Sequence, residues 1–236
     1  MERFIPIPKD YYDEGFDICT EDGITFQEGV SILVGCNGYG KTTTLNCIKH
    51  ELNKLYIPYI LHDNHTDNNK QNTMEAAMQN ARYDILSTAA FSSEGENISL
   101  SLSTTIEDLS MFLRYGETER SKRSDAFAAI FDEDAINERI KKKKESKERW
   151  LLFDAIDSGY SIDNIVEFKG LLDLLLEDSQ KFGLNTFIII TANSYEMTVG
   201  LPCIDIHAGK YIDFESYDHY KKFILETAQI KKERYA

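Results

Sequence analysis

Gly35-Cys36-Asn37-Gly38-Tyr39-Gly40-Lys41-Thr42 follows the apolar run Ser31-Ile32-Leu33-Val34 and opens a stretch in which Leu45, Ile48, Leu52 and Leu55 recur at helical spacing. Strand, glycine-rich turn and helix in that order fit G-x-x-x-x-G-K-[ST], a loop that holds phosphate. Each residue type has a task there. The glycines let the backbone wrap closely around phosphate oxygens, the amides and the helix dipole supply positive potential, Lys41 adds a full charge, and the Thr42 hydroxyl can ligate magnesium. The pattern predicts a bound nucleoside triphosphate with magnesium.

Working outward, Phe16 to Cys19, a turn at Glu21-Asp22-Gly23 and Ile24 to Phe26 predict an N-terminal antiparallel β-hairpin feeding the buried strand Val30 to Val34. The helix from Lys41 runs to about Tyr56, where Pro58 forces extended backbone on the residue before it. Tyr59 to Leu61 start another strand, which runs out into the polar tract HDNHTDNNKQN of residues 62–72, a surface loop. Helical stretches are expected over about 73–90 and 98–115, separated by Ser92-Ser93-Glu94-Gly95-Glu96. Residues 116–149 are charge-dense, end in KKKKESKER and suit a mobile arm.

Trp150 to Phe153 is a continuous apolar run suited to a strand covered on both faces. Residues 161–182 form a helix with Ile162, Ile165, Val166, Leu172, Leu175 and Leu176 on one face, capped by Gly183. Thr186 to Ile190 make another buried strand, Gly209 marks a late turn, and Tyr217, Tyr220, Ile224 and Ala228 pattern a terminal amphipathic helix. Short apolar strands alternating with helices predict an α/β fold with a mostly parallel sheet, as one domain over residues 1–236.

Composition narrows the setting. No apolar run reaches the length of a membrane span, the N-terminus lacks a signal pattern, and the four cysteines form no C-x-x-C pair, so reduced thiols in the cytoplasm are expected. Forty acidic against 26 basic residues give a formal charge of −14, which repels a nucleic-acid backbone unless a local patch overrides it. Lys141 to Lys144 are interspersed with Glu145 and Glu148, which reads as a solvated helix face more than as such a patch.

A second signature is expected beside a phosphate loop, a buried strand ending in an acid, and Asp154, ending the strand Trp150-Leu151-Leu152-Phe153, is the metal-side candidate. With that pair in place, the chain resembles the ABC-type ATPase heads, including the SMC and RecF-like DNA-repair ATPases and the small bacterial and phage AAA family ATPases. Gly35-x-Asn37-Gly38-x-Gly40-Lys41-Thr42-Thr43 is their form of the P-loop. Ser93-Glu94-Gly95-Glu96 resembles a degenerate version of their signature motif, whose serine and glycine amides reach the γ-phosphate held by the other subunit. Asp157-Ser158-Gly159 resembles the D-loop that crosses the dimer interface, and Asn193 stands where the family carries its switch histidine.

The resemblance implies ATP and magnesium as ligands. Gly35, Asn37, Gly38, Gly40, Lys41, Thr42 and Thr43 would hold the nucleotide, and Thr42 and Asp154 the metal. Ser93 and Gly95 would complete the site of a second copy in a head-to-tail, ATP-dependent homodimer, and Lys41, Asp154, Asp157 and Asn193 would serve hydrolysis. An effector protein such as a nuclease is a further possible partner. Ala155 departs from the pattern, since the family carries there a glutamate that polarises the attacking water. Either hydrolysis is weak, or a nearby group such as Asp157 substitutes. Gln71 is a candidate for the family's γ-phosphate-sensing glutamine, or simply an exposed loop amide.

Tyr11 and Tyr12 either stack on adenine or pack. His62-Asp63-Asn64-His65 with Asp67 reads as a solvated loop, and no metal beyond magnesium is expected. Two rivals stay open. A P-loop small-molecule kinase would need an arginine-rich lid, which Arg114, Arg120 and Arg123 supply poorly. A non-enzymatic nucleotide-dependent binding module is compatible with Ala155.

Overall fold

The runs Gly29–Val34, Glu148–Asp154 and Asn185–Thr191 are apolar at most positions, and in the computed structural model, which describes residues 1–12, 15–63, 108–118, 133–158 and 160–234, they are neighbouring strands. In chain order the elements are β1 (Glu2–Pro6), β2 (Gly23–Gln27), β3 (Gly29–Val34), α1 (Lys41–Lys54), β4 (Tyr59–Asp63), α2 (Glu133–Glu145) and β5 (Glu148–Asp154). There follow α3 (Ile162–Lys181), β6 (Asn185–Thr191), α4 (Tyr195–Thr198), β7 (Cys203–Asp205), β8 (Lys210–Ile212) and α5 (Tyr217–Arg234). Residues 108–115 are also helical.

A six-stranded sheet runs in the order β4-β5-β6-β3-β7-β8, with every neighbouring pair parallel except β7 with β8. Its continuous apolar runs follow from cover on both faces. Ile32, Leu151, Phe153, Ile188 and Ile190 face one cluster with α3 and the helical residues 108–115. Leu33, Trp150, Leu152, Phe187 and Ile189 face the other, with α1, β1 and β2. Alternate residues thus enter opposite cores, and the half-buried positions fall only at the strand ends. Trp150 is fully buried, stacked on Phe187 with ring centroids 4.4 Å apart and met edge-on by Phe26.

The fold is the α/β, mostly parallel architecture with an antiparallel N-terminal pair that the sequence predicts, but three details differ. The first concerns the N-terminal pair: β2 takes β1 as its partner, in the register Arg3 with Phe26 and Ile5 with Ile24, and Phe16 to Cys19 is not a strand. The intervening loop closes on its own polar groups instead. Lys9 Nζ donates to the carbonyls of Cys19, Thr20 and Glu21, and Asp10 Oδ1 accepts the amide of Gly15, which outcompetes a ladder for these residues.

The second difference is the helix face of α3. Its buried residues are Ile165, Phe168, Leu171, Leu172 and Leu175, while Ile162 and Val166 are exposed. At about 100° per residue Val166 rotates off that seam, and Ile162 lies in the first turn. On α5 likewise the seam runs through Tyr220, Phe223 and Thr227, and Tyr217 is exposed.

The third is the end of the charged stretch 116–149, whose last two residues belong to β5. Glu148 pairs with Arg3 and accepts from Trp150 Nε1, and Arg149 donates to the carbonyls of Leu113, Ser146 and Glu148. Both charges are buried because each has partners, and so neither needs solvent. Within α2, Lys142 pairs with Glu138 one turn earlier at 2.7 Å.

Candidate functional site

Parallel strands deliver their carboxyl ends to one edge of the sheet, where an α/β fold opens its crevice. β3 ends there in the loop 35–40, β5 in Asp154 and β6 in Thr191. The loop needs its glycines. Gly38 has φ +73°, and a Cβ there would lie 2.6 Å from Lys231 Nζ. Gly35, at φ +150°, would drive a Cβ into the ring of Tyr39, which folds back beneath it and is 1% exposed.

The loop then enters α1. Lys41 is buried, and its Nζ donates to the carbonyls of Gly35 at 2.6 Å and Cys36 at 3.2 Å. Burial lowers its pKa, an effect opposed by the nearby Cys36, Asp157 and Asp154. Thr42 is exposed, and Thr43 is buried with its hydroxyl 2.5 Å from that of Tyr12. A cleft of about 400 Å³ lies over this loop, a volume within the range of small-molecule sites. Asn37, Gly38, Gly40, Lys41, Thr42 and Thr43 line it together with Asp154, Ala155 and Asn193. Gly35 does not line the cleft and acts from behind the loop.

Asp154 is oriented by a residue that sequence reading missed. Thr191, at the end of the neighbouring strand, donates its hydroxyl to Asp154 Oδ1 at 2.6 Å and accepts the amide of Ala155 at 2.7 Å. An apolar run ending in threonine carries no signal for this; only the parallel pairing of β5 with β6 brings the two together. A carboxylate and the Thr42 hydroxyl on one cleft are hard oxygen donors of the kind magnesium takes, so the residues fit that ion. Ala155 adopts φ +50°, a left-handed turn that is uncommon outside glycine, where the chain leaves β5.

Asp157 is not at an exposed seam. It is buried, and its Oδ2 accepts the amides of Asn193 at 2.7 Å and Ser194 at 2.5 Å. The reason is topological: the turns after β5 and β6 leave adjacent strands, so a short acid on the first reaches the backbone of the second. Asn193 itself is exposed, and its carbonyl accepts from Tyr220 Oη at 2.8 Å. Replacing Asp157 with alanine leaves two amides without their acceptor and is expected to lower unfolding stability by about 2 kcal/mol. Asparagine keeps an acceptor and should lose less. Urea midpoints of the variants measure this, and an unchanged midpoint for Asp157→Ala would show the contact to be idle.

Other candidates fall elsewhere. Ser93, Gly95, Gln71, His65, Asp67, Arg120 and Arg123 lie outside the described residues. Arg114 sits over the ring of Phe182, 5.3 Å from its centroid, and does not line the cleft. Tyr12 does line it, with Tyr11 edge-on against its ring. So do Phe16, Ile18 and Arg234, which nothing in the sequence pattern flags.

Among the described residues no helix is long and apolar enough to cross a membrane. No protein-family model matches the chain, and no curated protein matches it. Among solved structures, the chain is similar to cbiO1 from Clostridium perfringens, described as part of the ABC transporter complex cbiONQ. The two share 15% identity over 97% of this chain and 92% of that one, with a TM-score of 0.41. At that identity and score the likeness bears on neither substrate nor partner.

Proposed function

We propose that this chain binds ATP with magnesium and works as an ABC-type ATPase head, a nucleotide switch that pairs head-to-tail with a second copy. The observation that carries the reading is the convergence of Lys41, Thr42, Asp154 and Asn193 on one cleft above a glycine-rich phosphate loop. In this reading the amides of the loop and the start of α1 face the β- and γ-phosphates, and the Lys41 ammonium turns from its loop carbonyls toward them. Thr42 and Asp154 hold the metal, with Asp154 kept in place by Thr191. Magnesium, when bound, neutralises charge on the phosphates and fixes their geometry. Asn193 stands at the γ-phosphate end and offers an amide where a base would be more effective.

Hydrolysis is slow in this reading, because Ala155 offers no carboxylate to orient water. Asp157 is a poor substitute, since it is buried, does not line the cleft, and gives its Oδ2 to two backbone amides. The lack of a base at Ala155 also favours, as a second reading, a module whose nucleotide shapes a surface for a partner without turnover.

Pairing is tested by mass. ATP with magnesium is expected to shift the protein from monomer to dimer in sedimentation, and Ser93→Arg to abolish the shift while ATP still binds the monomer. A wild-type mass that stays monomeric under saturating ATP would remove the head-to-tail interface from the proposal. A mutant that dimerises normally would remove Ser93 from it.

A further inference from the structure

Arg234, in the last turn of α5, lies between two aromatic rings. Its guanidinium carbon is 4.7 Å from the centroid of Tyr39 and 5.4 Å from that of Phe16. Nη1 donates to the Tyr39 carbonyl at 3.2 Å, and Nη2 is 3.4 Å from the Ile18 carbonyl and 2.9 Å from His207 Nδ1. A guanidinium only donates, so His207 Nδ1 is the acceptor of that contact, and the same nitrogen lies 3.2 Å from the Ile18 carbonyl. Tyr39 belongs to the phosphate loop, whereas Phe16 and Ile18 belong to the stretch between β1 and β2. These are two walls of the same cleft, and Arg234 lines it as well.

α5 holds the phosphate loop at two more places. Thr227 Oγ1 accepts the amide of Cys36 at 3.1 Å, and Lys231 Nζ donates to the Asn37 carbonyl at 2.9 Å. The loop therefore keeps two anchors on α5 if Arg234 is lost. The wall of Phe16 and Ile18 would lose a hydrogen bond and a cation–π contact at once. Phe16, half-buried on the cleft and backed by the buried Ile18, gives that wall an aromatic surface of the kind a flat heterocycle takes, while the charged and hydroxyl groups around Lys41 suit phosphate.

We propose that Arg234 is a positioning residue for the nucleoside half of the ligand: it fixes the spacing between the Phe16–Ile18 wall and the phosphate loop, so that α5 shapes the base end of the cleft. The inference rests on the ATP-binding reading above and adds a residue distant in sequence from every phosphate-loop position.

Calorimetric titration of the full chain with magnesium-ATP and with magnesium and inorganic tripolyphosphate separates the two halves. Arg234→Ala is expected to weaken ATP about tenfold and tripolyphosphate less than about twofold. Lys41→Ala should weaken both. Phe16→Ala removes the ring that Arg234 covers and leaves Arg234's bonds to the Tyr39 and Ile18 carbonyls in place. It should reproduce the selective loss, and it serves as the deciding variant if Arg234→Ala does not fold. Unchanged ATP affinity in Phe16→Ala or in folded Arg234→Ala overturns the proposal. So does an equal loss of both ligands in Arg234→Ala, which would mark a general loosening of the loop. A wild-type chain that binds neither ligand overturns the nucleotide reading itself, and that failure is visible before any variant is made.

Discussion

Replacing Lys41 with alanine is expected to lower ATP affinity at least about tenfold and leave the fold intact. The loss follows from what the side chain is: a full charge buried in a loop of backbone dipoles, where charge-assisted hydrogen bonds are stronger than in water. The fold is expected to survive because the ammonium bonds the carbonyls of its own loop, Gly35 and Cys36, and not the sheet, while burial disfavours its charged form. Titration calorimetry with matched circular dichroism measures both parts. Equal ATP affinity in variant and wild type would sink the phosphate-loop assignment.

Ala155→Glu is expected to raise the rate of ATP hydrolysis at least about tenfold, a threshold set below the 10²- to 10⁴-fold that general-base assistance typically supplies. Ala155 lines the cleft beside Asp154, so a carboxylate there enters the same cleft as Lys41, Thr42 and Asp154. The left-handed backbone at this position is disfavoured for alanine and glutamate alike, so the substitution changes the chemistry and leaves the turn. Phosphate positioning survives without the base, which predicts a long-lived ATP-bound state in the wild type. Steady-state phosphate release decides it. A brisk wild-type rate with no gain from Ala155→Glu would show that the base resides elsewhere in the chain.

The phosphate loop and Asp154 were legible because local rules create them: a strand, a glycine turn and a helix in sequence, and an apolar run ended by an acid. β5 and β6 were legible because strands covered on both faces cannot hide their composition. The pairing of β1 with β2 was not, since the loop between them carries Ile18 and Cys19, which are buried as a strand's residues would be but by loop packing. Asp157 shows a second limit. Its type and place in the motif were plain, yet its direction depends on the neighbouring turn after β6, and no sequence period encodes that. Thr191 and Arg234 mark the third, because each meets its partner only through the topology, across 37 residues for Thr191 with Asp154 and 195 for Arg234 with Tyr39.

Trp150 is the chain's sole tryptophan, and it sits fully buried and stacked on Phe187, on the strand that ends in Asp154. The protein thus has a single indole emitter, placed where water arrives only when β5 parts from its neighbours. A red shift of its fluorescence reports loss of the sheet and nothing more peripheral. Any variant of the cleft can be checked for an intact core in the same cuvette used to follow its ligand, with no label added.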